Sequence, residues 1–184
     1  TYLGSVITTG GGADQDIKRR LGKAMGVFRK LQKIWSMTSI SRRIKLQLYN
    51  TIVLPTALYA SETWKSTAAI SKKLDVFHQK CLRRILKITY HDRMTNEEVL
   101  RIAQSRRLQD IVAERRFKFA GHILRMPVER PAKVAMKWQP PFGKRKRGRP
   151  KISWKRTFIK DINSVDIEWE NIEQEAADRN VWRQ

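Results

Sequence analysis

Apolar residues recur at three- and four-residue intervals through most of this chain, the mark of helices with one buried face. The first run is Ile17, Leu21, Met25, Phe28, Leu31 and Ile34 or Trp35, with Asp14 or Asp16 placed to cap its start. Ser39 or Ser41 is placed to cap a second helix with Ile44, Leu48 and Ile52 on one face. Pro55 should kink that helix or separate it from one containing Leu58, Tyr59 and Trp64. The clearest period follows in Ile70, Leu74, Phe77, His78, Cys81, Leu82, Ile85 and Leu86. Thr95-Asn96-Glu97-Glu98 is a capping-box signature immediately before Val99 and Leu100. Leu108, Ile111, Val112, Phe119 and Ile123 mark another long helix.

The pattern changes at both ends. Tyr2 to Thr8 is β-like and stops at Gly10-Gly11-Gly12; a lone strand needs a partner to bury a face. From Pro127 onward, prolines and glycines bracket one short helix over 132–138, and Lys144 to Pro150 reads as an exposed arm. Trp154, Phe158 and Ile162 predict a further helix, and Trp169, Ile172, Ala176 and Trp182 another. The expected class is mainly α: a helical bundle preceded by a short β-strand, with a Pro/Gly-rich basic arm and C-terminal helices. The corresponding segments are 1–13, 14–90, 91–130, 131–151 and 152–184. There is no internal repeat and no alternation of strand and helix.

Charge sharpens this picture. The 184 residues include 39 Lys and Arg against 17 Asp and Glu, a formal charge of +22. A body of this size repels itself strongly at that charge unless a polyanion neutralises it, and nucleic acid is the natural one. Residues 1–60 hold ten basic groups against Asp14 and Asp16, and Lys144 to Lys160 hold nine with no acid. From Asp161 the sign reverses, with seven acids against Arg179 and Arg183. That tail reads as a solvated face or as a neutraliser of the body when nucleic acid is absent. One cysteine excludes a disulfide framework and multi-cysteine zinc modules, and no apolar run is long enough to span a membrane. The chain lacks a signal-peptide pattern and opens without Met on Tyr2-Leu3-Gly4, so it reads as a piece of a longer protein.

Catalytic chemistry is sparse. The glycines at 10–12 lack phosphate-loop spacing, no serine sits in a nucleophile elbow, and the acids lie mostly in caps or in the tail. His78 and Cys81, with His91 and His122, are numerous enough for zinc, but Phe77 and Leu82 beside the first two point to an apolar face. His122 lies within Gly121-His122-Ile123-Leu124-Arg125, where the glycine lets another element approach closely; a structural hydrogen bond is the expected role of the histidine.

Basic groups carry the functional signal. Lys18, Arg19, Lys23 and Lys30, then Arg83, Arg84 and Lys87, then Arg106, Arg107, Arg115, Arg116 and Lys118, with His122 and Arg125, are spaced to project from apolar stripes toward phosphates. The arm adds Lys144, Arg145, Lys146, Arg147, Arg149 and Lys151. Its Arg147-Gly148-Arg149-Pro150 resembles the AT-hook, in which arginines enter a narrow A·T minor groove; plain phosphate contact and a nuclear-import signal fit the same residues. Trp64, Trp138 and Trp154 fit either base stacking or core packing.

Taken in order, Tyr2-Leu3-Gly4, Leu48-Tyr49-Asn50 with Pro55 and Leu58-Tyr59, Glu62-Thr63-Trp64, Cys81-Leu82-Arg83, Asp92-Arg93-Met94-Thr95-Asn96, Arg115-Arg116, Gly121 through Met126, and Gly148-Arg149-Pro150 with Trp154 form one pattern. It resembles the C-terminal part of a non-LTR retrotransposon endonuclease–reverse transcriptase of the RTE-like or a related type. The resemblance implies that Tyr2-Leu3-Gly4 closes the palm, that residues from about Asp14 to Leu86 include the thumb, and that those from about Asp92 form the C-terminal extension. It further implies RNA and DNA as partners, as template–primer duplex and target DNA, together with the remainder of the polymerase. Mg²⁺ is implied for the complete polymerase only, because the paired catalytic aspartates are not in this sequence. The segment alone is expected to be non-catalytic and without a cofactor. Residence in the nucleus, with a cytoplasmic ribonucleoprotein stage, is implied as well.

Two positions depart from the family pattern: Ala60 stands where relatives commonly have Gly, and Tyr90 where they commonly have Trp. Both are expected to pack. The competing readings are a free-standing AT-hook-like DNA-binding module and a structural protein that binds RNA without sequence preference.

Overall fold

The computed structural model describes Ser5 and residues 13–138, 152–180 and 182. Apart from Ser5, the expected strand at Tyr2 to Thr8 lies outside them, as do Lys144, Arg145, Lys146, Arg147, Arg149 and Lys151 of the arm. The protein is mainly α-helical: α1 Asp14–Lys30, α2 Gln32–Ser36, α3 Arg42–Leu48, α4 Leu54–Ala57, α5 Ala68–Leu86, α6 Asn96–Ile102, α7 Leu108–Leu124, α8 Pro131–Lys137, α9 Trp154–Asn163 and α10 Ile172–Ala177. Contacts divide the chain into two units. The first comprises residues 1–61 and 67–112, the second residues 62–66 and 113–184, so the division falls inside α7.

In the first unit α5 packs on α1, α2, α3 and α6, and α1 also packs on α4. Thr67 caps α5, its hydroxyl accepting from Ile70 N at 3.2 Å, and the apolar stripe from Ile70 to Leu86 is buried as its period predicts. Phe28 stacks on Trp35 at 5.0 Å and meets Tyr49 edge-on at 6.3 Å. The start of α1 corrects one expectation. Ala13, not an aspartate, is the N-cap; Asp14 and Asp16 lie in the first turn, where they complement the helix dipole. Asp16 is buried beside Arg20, whose guanidinium also lies 4.2 Å from the Tyr59 ring centroid.

The second correction concerns α3. Ser41 caps it, accepting from Ile44 N, but Ile44 and Ile52 are exposed while Lys45, Tyr49 and Val53 are buried. A buried lysine looks wrong by hydropathy. Its ammonium donates to the carbonyls of Trp35 (3.0 Å) and Met37 and so satisfies the frayed end of α2. Lys133 in the second unit repeats the device, donating to Leu124 O (2.7 Å) and Met126 O (3.1 Å) at the end of α7. Pro55 does not break the helical run: a single π turn, Tyr49–Val53, runs directly into α4 with the proline in its first turn, and α4 ends at Ala57, short of the expected Leu58, Tyr59 and Trp64. Ala60, in the turn after α4, has φ 56°, a left-handed conformation that glycine adopts at lower cost.

In the second unit Ala120, Ile123, Leu124, Met136, Phe158, Ile162, Ile172 and Ala176 form the core. Around it run aromatic contacts from Phe119 to Trp154 (6.3 Å), Trp154 to Phe158 (5.3 Å), Phe158 to Phe117 (5.6 Å) and Phe117 to Trp182 (5.8 Å). Segment 62–66 belongs here for reasons of hydrogen bonding. Trp154 Nε1 donates to Glu62 O at 2.7 Å, Arg116 Nη2 to Trp64 O at 3.3 Å, and Ser66 N to Thr157 Oγ1 at 3.0 Å. Trp64 is thereby buried and Trp154 packs half-buried against the core, whereas Trp138 is exposed.

Candidate nucleic-acid interface

On α1 the buried residues are Asp16, Ile17, Arg20, Ala24 and Phe28. Lys18, Arg19, Gly22, Lys23, Gly26, Arg29 and Lys30 are exposed, so the helical period that buries one stripe leaves a cationic one outside. Gly22 and Gly26 lie on that stripe, and a Cβ at either would meet nothing within 4 Å. At the far end of α5, Arg84 and Lys87 are exposed. With the Gln32 amide turned to accept, Arg84 donates to it at 2.6 Å, two residues beyond Lys30. The basic ends of α1 and α5 therefore adjoin. Arg106 and Arg107 are exposed in the approach to α7, and Arg107 is ion-paired with Glu97 at 3.1 Å.

Other predicted contacts are spent inside the fold. Arg116 is 1% exposed; it is ion-paired with Asp161 as well as bonded to Trp64 O, and is therefore not a phosphate contact. Burial raises the Asp161 carboxyl from its ordinary value, with Arg116 opposing that shift. The i, i+3 and i, i+4 neighbours of Arg116 (Val112, Phe119, Ala120) explain the error: it lies on the apolar stripe of α7 rather than beside it. Arg83 donates to Met94 O (2.9 Å) and Asn96 Oδ1 (3.0 Å), and Arg125 to Ala176 O (2.8 Å). Arg115 is half-buried, and Lys118 is exposed and paired with Glu114. His122 faces solvent instead of making the expected structural bond. The close approach at Gly121 is real, for a Cβ there would collide with the Trp182 indole at Nε1.

The histidine–cysteine pair is structural. Tyr49 Oη lies 2.8 Å from His78 Nδ1, and Ser105 Oγ lies 3.1 Å from Nε2, so both ring nitrogens are occupied. Burial lowers the His78 pKa to about 4 and pushes the Cys81 thiol up to about 12. A neutral imidazole and a protonated thiol in the core serve packing and hydrogen bonding. Among the described residues, no group of three or more His, Cys, Asp or Glu is placed to hold a metal ion. No described helix is long and apolar enough to cross a membrane. In the second unit a cleft of about 470 Å³ is lined by Leu124, Lys137, Lys155, Trp169 and Glu173, among others. Its cations are already engaged, Lys137 with Glu173 and Lys155 over the Trp169 ring.

The chain is 29% identical over 191 aligned positions to an uncharacterized transposon-derived protein of Caenorhabditis elegans; the alignment covers 98% of this chain and 67% of that one. No family model and no solved structure matches it. Similarity over nearly its whole length thus connects the chain with a protein of transposon origin.

Proposed function

We propose that this chain is the nucleic-acid-holding C-terminal part of a retrotransposon RNA-directed DNA polymerase, and that it positions a template–primer duplex through phosphate contacts. The observation that carries the reading is the exposed stripe Lys18, Arg19, Lys23, Arg29 and Lys30, opposite a buried apolar face, on a chain of charge +22. Lys and Arg so presented bind phosphate oxygens without reading bases, as a surface that must accept any template requires. Helices packed through α5 keep those cations at fixed spacing, and rigid placement turns a loose encounter into an oriented one. Nucleotidyl transfer and its Mg²⁺ belong to residues outside this sequence; the nucleus is the matching location. Transposon-derived similarity supports the origin, and the ordered motifs from Leu48 to Met126 support the polymerase.

The test is a titration of the purified chain against a recessed RNA–DNA primer–template, single-stranded RNA, and A·T-rich and G·C-rich duplexes. The expected result is preference for the recessed hybrid, lost in Lys18→Glu/Lys23→Glu/Lys30→Glu and kept in Arg147→Ala/Arg149→Ala. The opposite pattern, an A·T preference abolished by the arm variant, would replace this reading with the AT-hook-like module. Equal binding of all four would favour a non-specific structural protein.

A further inference from the structure

The loop between α5 and α6 presents an aromatic ring to solvent on an unusually well-tied backbone. Tyr90 is 94% exposed, the most exposed of the large apolar side chains described. This overturns the expectation that it packs. The ring contact it makes is with His91, edge-on at 6.4 Å, and His91 is itself exposed.

Exposed tyrosines in slack loops are common, but this loop is held at three places. At its entry, Lys87 adopts φ 59° and ends α5, with Ile88 N donating to Arg83 O at 2.9 Å. In the middle, the Thr89 amide and hydroxyl both donate to the Asp92 carboxylate, at 2.5 and 2.8 Å, closing a short turn over Tyr90–Asp92. At its exit, Arg83 grips Met94 O and Asn96 Oδ1, Gln79 donates to Asn96 O, and Thr95 and Glu98 close a capping box. The ring is thus displayed by a pre-ordered frame, which reduces the entropy lost when something stacks on it.

Charge indicates what that something is. Lys87, His91 and Arg93, all within three residues of Tyr90, are exposed, and the one acid in the turn, Asp92, is engaged by Thr89. An exposed aromatic face with Lys87 and Arg93 in the same loop matches a nucleotide: the base for the ring, the flanking phosphates for the cations. Paired bases keep their faces buried in the stack, so the ligand must be unpaired.

We infer that Tyr90 is a stacking platform for an unpaired nucleobase, with Lys87 and Arg93 engaging the adjoining phosphates. The inference rests on the nucleic-acid reading above and assigns the single-stranded part of the substrate to this loop. Stacking of one base on one ring is worth roughly 1–3 kcal/mol, a loss of about 5- to 150-fold on truncation.

The experiment compares a blunt duplex with the same duplex carrying a single-stranded overhang that contains 2-aminopurine. Parent, Tyr90→Ala and Tyr90→Phe chains are titrated with each. Tyr90→Ala should lose about 5- to 150-fold in affinity for the overhang substrate and stay unchanged on the blunt one. Tyr90→Phe should match the parent on both. The 2-aminopurine emission should be quenched by parent and Tyr90→Phe but not by Tyr90→Ala. If Tyr90→Ala binds both substrates like the parent, or loses equally on both, the stacking assignment is wrong and the phosphate-binding reading stands. If the parent binds neither substrate, that reading fails and the assignment with it.

Discussion

His78 shows how one residue sets a measurable property of its surroundings. Desolvation by burial lowers its pKa from 6.5 to about 4, offset in part by a hydrogen bond with the backbone of Arg106. Between these values the unfolded chain takes up a proton that the folded chain refuses. Stability is therefore complete above about pH 6.5 and falls as pH drops toward 4, by on the order of 3 kcal/mol. Urea unfolding followed by tryptophan fluorescence should show the midpoint falling from pH 7 to pH 5, and His78→Gln should flatten that dependence. The buried position of His78 was legible, since Phe77, Cys81 and Leu82 share its stripe; its partners Tyr49 and Ser105, distant in sequence, were not. The same limit hid Arg116 and Lys45. Both are strong cations, and only a carboxylate or free carbonyls arriving from elsewhere make their burial tolerable.

At the scale of elements, the approach of Trp182 to α7 is the most exacting contact. Trp182 Nε1 donates to Phe117 O at 2.9 Å while its ring covers Gly121. Gly121→Ala should destabilise the second unit by roughly 1–3 kcal/mol, because the added methyl forces the indole off its bond. In a Trp182→Ala background the same change should cost nothing and should gain up to about 1 kcal/mol of helix propensity. Thermal unfolding of the four chains gives the coupling directly. Helices α1, α5, α7 and α9 were legible because each buries a long periodic stripe. The face of α3 was not: a short helix running into a π turn shifts which side chains point inward, and Ile44 and Ile52 ended outside.

For the whole molecule the governing quantity is charge. If about six to ten phosphates are contacted, affinity for the recessed hybrid should fall roughly 10³- to 10⁵-fold between 50 and 200 mM salt. A slope near zero would mean that the exposed cations do not carry binding. Several predicted contacts drop out of that count: Arg116 is buried, and Arg83 and Arg125 are tied to backbone carbonyls. The stripe on α1 and the basic end of α5 remain, and they are where charge-reversal variants should act most strongly.

Sequence alone determined that this is a helical protein, because period and capping are local properties written at three- and four-residue spacing. It also determined the strong positive charge on which the proposal of a polyanionic partner rests, because net charge is a sum over composition and needs no fold. Tertiary structure decided which cations are exposed and which are buried. Burial depends on what packs against a residue from far along the chain, so Arg116 and Lys45 were withdrawn into the interior by partners 45 and 10 or fewer residues away. It likewise brought Tyr90 to light: the loop's ties to Arg83 and Gln79 on α5 hold the ring out in solvent, where a local reading expected it to pack.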